Sequence, residues 1–136
     1  MAKPKSIVFV VDDDESVSAS LKLLIESIGY DVVTFKSAED FLDSRFRENP
    51  CCLVLDICLP GMSGFQLQEH LVMSQNRIPV IFITGHDRNR MEDEAARLGA
   101  IAYLRKPFDE QALLGAIGSL TGKQVVINPL HEEVQL

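Results

Sequence analysis

The chain has 136 residues, of which 13 are Lys or Arg and 20 are Asp or Glu, so its formal net charge is −7. This length predicts a single domain, and the hydrophobic residues, 46% of the chain, can form a core without a disulfide or metal. The negative charge argues against binding to nucleic acid or to an anionic membrane surface. No apolar run approaches the roughly 20 residues of a membrane-spanning helix, and too few residues precede the first apolar run for a signal peptide. We therefore expect a soluble, cytoplasmic domain.

Five short apolar runs predict β-strands. Several are continuous runs of Val, Ile and Leu, which is typical of a parallel sheet that is covered on both faces. Each run is followed by a segment that carries helix signals. The five runs are Ile7–Val11, Asp31–Phe35, Cys52–Leu55, Val80–Thr84 and Ala102–Arg105.

The first three helices are predicted by apolar spacing and by capping residues. Apolar residues recur at helical spacing from Val17 to Ile28, and Gly29 is suited to end that helix. The motifs Ser37-x-x-Asp40 and Ser63-x-x-Gln66 each resemble a capping box at a helix start. The second and third helices therefore begin close to these two serines.

The last two helices are predicted in the same way. Met91 to Leu98 forms a fourth helix that Gly99 ends, and Asp109 caps a fifth. Residues 121–136 show no clear periodicity, so we expect a domain at 1–120 followed by a tail or linker at 121–136. The buried stripe of the fifth helix comprises Leu113, Leu114, Ile117 and Leu120.

The order of these elements predicts an α/β fold in which a strand–helix unit occurs five times. Right-handed crossovers favour an open, doubly wound parallel sheet of five strands. The flavodoxin-like strand order 2-1-3-4-5 is the expected arrangement. A closed eight-stranded barrel is excluded, because it needs about 250 residues.

The cysteines and histidines show neither a disulfide framework nor the spacing of zinc ligands. Two of the cysteines are adjacent and the third is unmatched, so we expect all three to be reduced and to act as small apolar residues. These residues are Cys51, Cys52, Cys58, His70, His86 and His131.

Polar side chains follow four of the five predicted strands. In the 2-1-3-4-5 order, strands 1 and 3 flank the point where the strand order reverses, and ligands bind in the crevice there. Acidic residues that meet in this crevice would repel one another unless a cation or protons compensate them. The strand ends carry Asp12, Asp13 and Asp14 after the first strand, Asp56 after the third, Thr84 at the fourth and Lys106 after the fifth.

These side chains are suited to phosphoryl transfer. Carboxylates and water are ligands that Mg²⁺ prefers, and bound Mg²⁺ keeps coordination positions for phosphate oxygens. The hydroxyl of Thr84 and the ammonium of Lys106 would complete such a pocket. The attacking atom would be a carboxylate oxygen, because no Ser or Cys pairs with a base here. Asp14 is the best candidate for the N-cap of the first helix.

Four motifs at these strand ends resemble those of the receiver domain of bacterial two-component response regulators, which has the CheY-like fold. The resemblance extends from about Ile7 to Leu120, and the segment from Ile83 to Asp87 is most similar to receivers of the FixJ and LuxR-type output family. The motifs are Val10-Val-Asp-Asp-Asp14, Leu55-Asp-Ile-Cys-Leu-Pro-Gly-Met-Ser-Gly64, Ile83-Thr-Gly-His86 and Tyr103-Leu-Arg-Lys-Pro-Phe108.

The resemblance implies a metal-dependent phosphorylation site. Asp56 would accept a phosphoryl group from the phosphohistidine of a sensor histidine kinase. Asp13 and Asp56 would bind Mg²⁺ directly and Asp12 through water, with the backbone carbonyl of Cys58 as the remaining protein ligand. The side chain of Cys58 would tune the lifetime of the phosphoryl group.

The resemblance also implies a conformational switch. Thr84 would bond a phosphoryl oxygen, and Lys106 would pair with the acceptor aspartate, next to a cis peptide bond between Lys106 and Pro107. Tyr103 would swing inward when Thr84 moves, which would change the face formed by helix 4, strand 5 and helix 5. His86 is a second candidate for tuning the phosphoryl lifetime.

The implied function is a phospho-accepting regulatory domain that catalyses only its own phosphorylation and dephosphorylation. Its partners would be a sensor histidine kinase, a second copy upon phosphorylation, and a linked or separate output domain that regulates transcription. One alternative is an aspartate-dependent phosphohydrolase, which needs an acid where Cys58 stands. Another is a flavodoxin-like nucleotide-binding module, which needs a Gly-rich loop after the first strand.

Overall fold

The computed structural model describes residues 6–44, 52–88 and 90–121. Its strands form one parallel sheet in the order β2-β1-β3-β4-β5, which confirms the predicted doubly wound fold. The strands are β1 (Ile7–Val11), β2 (Asp31–Phe35), β3 (Cys52–Asp56), β4 (Val80–Thr84) and β5 (Ala102–Arg105). The helices are α1 (Glu15–Glu26), α2 (Ala38–Asp43), α3 (Gly64–Met73), α4 (Met91–Arg97) and α5 (Glu110–Thr121).

Some element boundaries differ from the predicted ones by a residue or two. β3 continues to Asp56, one residue further than predicted, because Asp56 is still paired with Ile83 of β4. α1 ends at Glu26, so Ile28 belongs to the turn after the helix rather than to the helix itself. Thr121, the first residue of the predicted tail at 121–136, belongs to α5. The rest of that tail, which includes His131, lies outside the described residues, as does Cys51.

The helix starts show which capping predictions were right. Asp14 caps α1, since its carboxylate accepts bonds from the backbone amides of Ser16 and Val17. Ser63 and Gln66 form both bonds of a capping box at α3. At α2 the hydroxyl of Ser37 accepts the bond from the Asp40 amide, which is the N-cap half of the predicted box.

Successive residues of each strand point to opposite sides of the sheet. Both sides carry apolar residues, and helices cover both of them. One face packs against α2, α3 and α4, with Phe9 and Phe82 of the sheet among its buried residues. The opposite face packs against α1 and α5, with Val10 and Ile83 among its buried residues. Helices therefore cover both faces of the sheet, and the loops at the carboxyl ends of the strands can form a site.

The cysteines and the helix lengths bear on two further predictions. Cys52 and Cys58 are both free cysteines, as expected. Cys52 is buried like a small apolar residue, but Cys58 is exposed in the loop after β3, so the predicted apolar role was wrong for Cys58. Among the described residues, the longest helices, α1 and α5, have only 12 residues each, and none of the helices could cross a membrane.

Candidate functional site

Four strands bring polar residues to one edge of the sheet. Asp12 directly follows β1, Asp56 is the last residue of β3, Thr84 is the last residue of β4, and Lys106 directly follows β5. Because the strands are parallel and neighbours in the order β1-β3-β4-β5, their carboxyl ends meet at the same edge.

Three carboxylates converge there, as the sequence predicted. Oxygen atoms of Asp12, Asp13 and Asp56 all lie within 4.8 Å of one another. Asp12 is 2% exposed and Asp56 is 5% exposed, whereas Asp13 is exposed to solvent. Two of the three charges are thus largely removed from water, which makes an unbalanced cluster costly.

Burial raises the pKa of Asp56, and the charge of Asp12 raises it further. The backbone amide of Cys58, which donates to Asp56 Oδ1 at 3.1 Å, and the charge of Lys106 act in the opposite direction without cancelling this effect. The protein by itself therefore makes Asp56 easier to protonate than a free aspartate, and any cation that binds beside it would favour the ionised form.

Lys106 supplies one positive charge to the cluster. Its Nζ atom lies 3.0 Å from Asp12 Oδ2 and 3.5 Å from Asp56 Oδ2. Burial alone would lower the pKa of Lys106, but the hydrogen bond to Asp12 and the charge of Asp56 outweigh it and raise the pKa. Lys106 is thus charged, and one ammonium leaves two negative charges uncompensated when all three aspartates are ionised.

The composition of the cluster fits a magnesium ion. All its donor atoms are carboxylate oxygens, which are hard ligands of the kind that Mg²⁺ prefers over thiolate or imidazole. The two remaining negative charges match a divalent cation. Asp14 does not belong to this group, since its carboxylate caps α1.

Thr84 lies at the fourth strand end with its side chain buried. Its Oγ1 accepts a hydrogen bond from the His86 amide at 3.1 Å and lies 3.8 Å from Cys58 Sγ. Its backbone carbonyl accepts a bond from the Lys106 amide at 2.7 Å. This hydroxyl therefore contacts the loop after β3 through Cys58 and the loop after β4 through His86. The peptide bond between Lys106 and Pro107 is cis.

Gly64 allows the loop after β3 to fold tightly against Asp56. A Cβ atom at Gly64 would lie 2.4 Å from the Asp56 carbonyl oxygen and 2.8 Å from Ile57 Cα. The Gly64 amide donates to the Ile57 carbonyl at 2.9 Å. Gly64 belongs to one of the sequence motifs, but its role was not predictable, because close approach of two backbones has no local sequence signal.

Glu39 also helps to hold the loop after β3, a role that was not predicted from the sequence. Its Oε2 accepts a hydrogen bond from the Met62 amide at 2.8 Å, which links α2 to the loop after β3. This bond lowers the pKa of Glu39. Met62 follows Gly61, whose φ of +72° is readily adopted only by glycine among the common residues.

Tyr103 lies on β5, where it is paired with Phe82 of β4. Its ring packs partly against the core on the α2–α3–α4 face, and its hydroxyl donates a hydrogen bond to Asp87 Oδ1. Asp87 in turn accepts a bond from Arg105. Tyr103 was predicted from the sequence as a switch residue, whereas its partners Asp87 and Arg105 were not.

The two alternative functions lack their characteristic groups at these positions. The residue two positions after Asp56 is Cys58, where a phosphohydrolase of the aspartate-nucleophile type would need an acid. The loop after β1 carries Asp12, Asp13 and Asp14 rather than a Gly-rich phosphate loop, and these acids would repel a phosphate in the absence of a metal.

The fold and the acidic cluster agree with the family to which the sequence is related. A sequence profile described as "Response regulator receiver domain" matches residues 8–118. The chain belongs to this family, whose role is to accept a phosphoryl group in signalling.

Individual relatives are consistent with this assignment. Over 120 residues the chain is 46% identical to nodulation protein W of Bradyrhizobium diazoefficiens, covering 88% of this chain and 53% of that protein. It is 39% identical over 121 residues to the transcriptional regulatory protein FixJ of Azorhizobium caulinodans, covering 88% and 57%. The solved structure of the response regulator StyR superimposes with a TM-score of 0.79 and 44% identity, covering 96% of this chain and 64% of that one. The chain thus spans about half the length of the curated relatives it matches.

Proposed function

We propose that Asp56 accepts a phosphoryl group from a phosphohistidine of a sensor histidine kinase. The observation that carries this proposal is the convergence of three carboxylates and Lys106 at one sheet edge, where the buried Asp56 ends β3 and lies 3.5 Å from the ammonium of Lys106. Such a site combines a nucleophile with charges that stabilise a phosphoryl group.

The transfer exchanges one bond to phosphorus for another. A carboxylate oxygen of Asp56 forms the new P–O bond while the P–N bond to the kinase imidazole breaks. The imidazole nitrogen keeps the electron pair of the broken bond and takes up a proton. Asp56 must be ionised to attack, so the ammonium of Lys106, which acts against the raised pKa of Asp56, favours the reaction.

Mg²⁺ would be held by Asp13 and Asp56, by Asp12 through water, and by the backbone carbonyl of Cys58. When bound, it would neutralise charge on the phosphoryl oxygens. The oxygen-only donor set supports this metal. Asp13 is the exposed member of the cluster, so it can bind an ion that enters from solvent.

Thr84 and Lys106 would bind oxygens of the attached phosphoryl group. The hydroxyl of Thr84 can donate to an oxygen while still accepting from the His86 amide. Lys106 can move its bond from Asp56 to the phosphate. Cys58 and His86 adjoin these groups and would tune access of water to the acyl phosphate.

At the level of the whole protein, phosphorylation would change the face formed by α4, β5 and α5. This face would then bind a second copy of the chain and control an output domain that regulates transcription. The chain would act in the cytoplasm and catalyse only its own phosphorylation and dephosphorylation. The relatives that continue beyond the matched region support an output domain.

The proposal can be tested by incubating the chain with acetyl phosphate and Mg²⁺ and measuring its intact mass. We expect a gain of about 80 Da, the mass that one phosphorylation adds, and no gain in Asp56→Asn. Asp14→Asn is the matched control, because it removes a neighbouring charge while Asn still serves as an N-cap. It should be phosphorylated like the unmodified chain.

The same incubation separates the proposal from the hydrolase alternative. Steady release of phosphate from ester substrates without a covalent adduct would favour a phosphohydrolase. An adduct that persists in Asp56→Asn would place the acceptor elsewhere and would contradict the proposal.

A further inference from the structure

Tyr103 is held at the surface by a network of side chains from three elements. Its hydroxyl donates to Asp87 Oδ1, and Arg105 Nε donates to Asp87 Oδ2 at 2.6 Å. Arg105 Nη2 reaches Glu92 Oε1 at 2.9 Å. The network therefore joins the loop after β4, the first turn of α4 and the edge strand β5.

The geometry of this network constrains the tyrosine in two ways. One carboxylate, that of Asp87, accepts bonds from both Tyr103 and Arg105, one on each oxygen. The guanidinium carbon of Arg105 also lies 5.4 Å from the centre of the Tyr103 ring, within the range of a cation–π contact. Exposed side chains thus contact both the hydroxyl and the ring of Tyr103.

Asp87 is also connected to the phosphorylation site through the backbone. It is three residues beyond Thr84, and the amide of the intervening His86 donates to the Thr84 hydroxyl at 3.1 Å. A displacement of that hydroxyl is therefore transmitted to the segment that carries Asp87.

We propose that Asp87 is a positioning residue that, with Arg105, latches Tyr103 in its surface orientation and so opposes phosphorylation of the chain. This inference rests on the proposed function, in which Tyr103 turns inward when Asp56 is phosphorylated. A bond present in only one of two states favours that state by its own free energy. Since an inward Tyr103 cannot keep its bond to the exposed Asp87, loss of the latch shifts the equilibrium toward the phosphorylated arrangement.

The latch can first be observed without phosphorylation. The chain has two tyrosines, so incorporation of 3-fluorotyrosine gives two ¹⁹F resonances. Tyr30, at 2% exposed, serves as the buried internal reference, and Tyr103→Phe assigns the second resonance. We expect Asp87→Asn to shift the Tyr103 resonance. The matched control is Glu94→Gln, which breaks a separate ion pair of α4, between Glu94 and Arg97, and should leave the resonance in place.

The functional consequence is measured as the rate of phosphorylation by acetyl phosphate and Mg²⁺. We expect Asp87→Asn and Tyr103→Phe each to raise the rate roughly three- to tenfold, the range that one partly exposed hydrogen bond to a charged group can produce. Asp87→Asn removes the charge that strengthens the bond from Tyr103, and Tyr103→Phe removes the bond itself, so the double variant should gain less than the product of the two single gains. Glu94→Gln should react at the unmodified rate.

The outcomes distinguish the latch from the proposed function. An unshifted Tyr103 resonance in Asp87→Asn, unchanged rates, or a double variant whose rate gain is the product of the single gains would each overturn the latch while phosphorylation itself proceeds. An unmodified chain that takes up no phosphoryl group would instead overturn the proposed function. A shifted resonance together with raised, non-additive rates supports the proposal.

Discussion

The buried charge of Asp56 has a measurable effect on stability. The fold raises the pKa of this carboxyl from its usual 3.8. At a pH between 3.8 and the raised pKa, the folded chain therefore keeps a proton that the unfolded chain has lost. Stability therefore decreases as the pH rises from 3.8 through the raised pKa, and the loss is complete above it. The site is destabilised at neutral pH so that an ionised nucleophile can be present there.

We accordingly predict that Asp56→Asn raises the melting temperature by a few degrees at pH 7 in EDTA. The gain should shrink as the pH is lowered toward 3.8, where the aspartate of the unmodified chain is also neutral. Differential scanning calorimetry across this pH range measures it. Asp14→Asn, outside the cluster, should show no comparable gain at pH 7. A gain that does not depend on pH would contradict the electrostatic explanation.

A second prediction at the scale of residues concerns the metal. Mg²⁺ that binds only the folded chain should stabilise it by about 2.7 kcal/mol at a concentration 100 times the dissociation constant. Asp13→Ala removes the exposed ligand of the cluster and should abolish this stabilisation. Thermal melts with and without Mg²⁺ measure it, and Asp14→Asn should respond to the metal normally. Metal-dependent melting that persists in Asp13→Ala would show that the ion binds elsewhere.

At the scale of elements, the loop from β3 to α3 depends on Gly64. The start of α3 lies against the backbone of Asp56 and Ile57, and a methyl group at Gly64 would meet backbone atoms that cannot rotate away. The helix start and the acceptor residue are thus fixed relative to each other by the absence of a side chain.

We predict that Gly64→Ala destabilises the chain by about 1–3 kcal/mol, the usual range for overpacking, and slows phosphorylation. Gly85→Ala is the control, because its added Cβ would meet only Lys106 Cδ at an ordinary distance of 3.7 Å. Urea denaturation measures the stability of both variants, and the gain in intact mass with acetyl phosphate and Mg²⁺ over time measures their phosphorylation. If Gly64→Ala were as stable and as reactive as Gly85→Ala, the close backbone contact would have no role in holding the loop.

The strands and the position of the site could be predicted from the sequence, but hydrogen bonds between distant side chains could not. Continuous apolar runs predicted the strands because each strand is buried on both faces, and parallel strands necessarily bring their terminal polar residues to one edge. The bond from Met62 to Glu39 spans 23 residues and that from Tyr103 to Asp87 spans 16. Such contacts depend on which surface side chains the packed helices bring together, and hydrophobic periodicity contains no information about that pairing.

At the scale of the whole molecule, the surface around β5 combines features that suit regulated association. β5 is an edge strand of the sheet, and its outer side carries the charged network of Asp87, Glu92 and Arg105. Ile101, directly before β5, leaves an apolar side chain 43% exposed. Rearrangement of Tyr103 would remove its bond to Asp87 and leave that carboxylate oxygen available to a second copy.

We therefore predict that phosphorylation, or its mimic beryllofluoride, doubles the mass of the chain measured by light scattering. Asp56→Asn should remain monomeric under the same conditions. Ile101→Ser should weaken the dimer, because it removes apolar area from the face around β5. Met73→Ser, which alters an 85% exposed residue on α3 outside that face, should leave the dimer intact. A mass that stays monomeric with beryllofluoride, or a dimer that Met73→Ser weakens more than Ile101→Ser does, would exclude this face as the regulated interface.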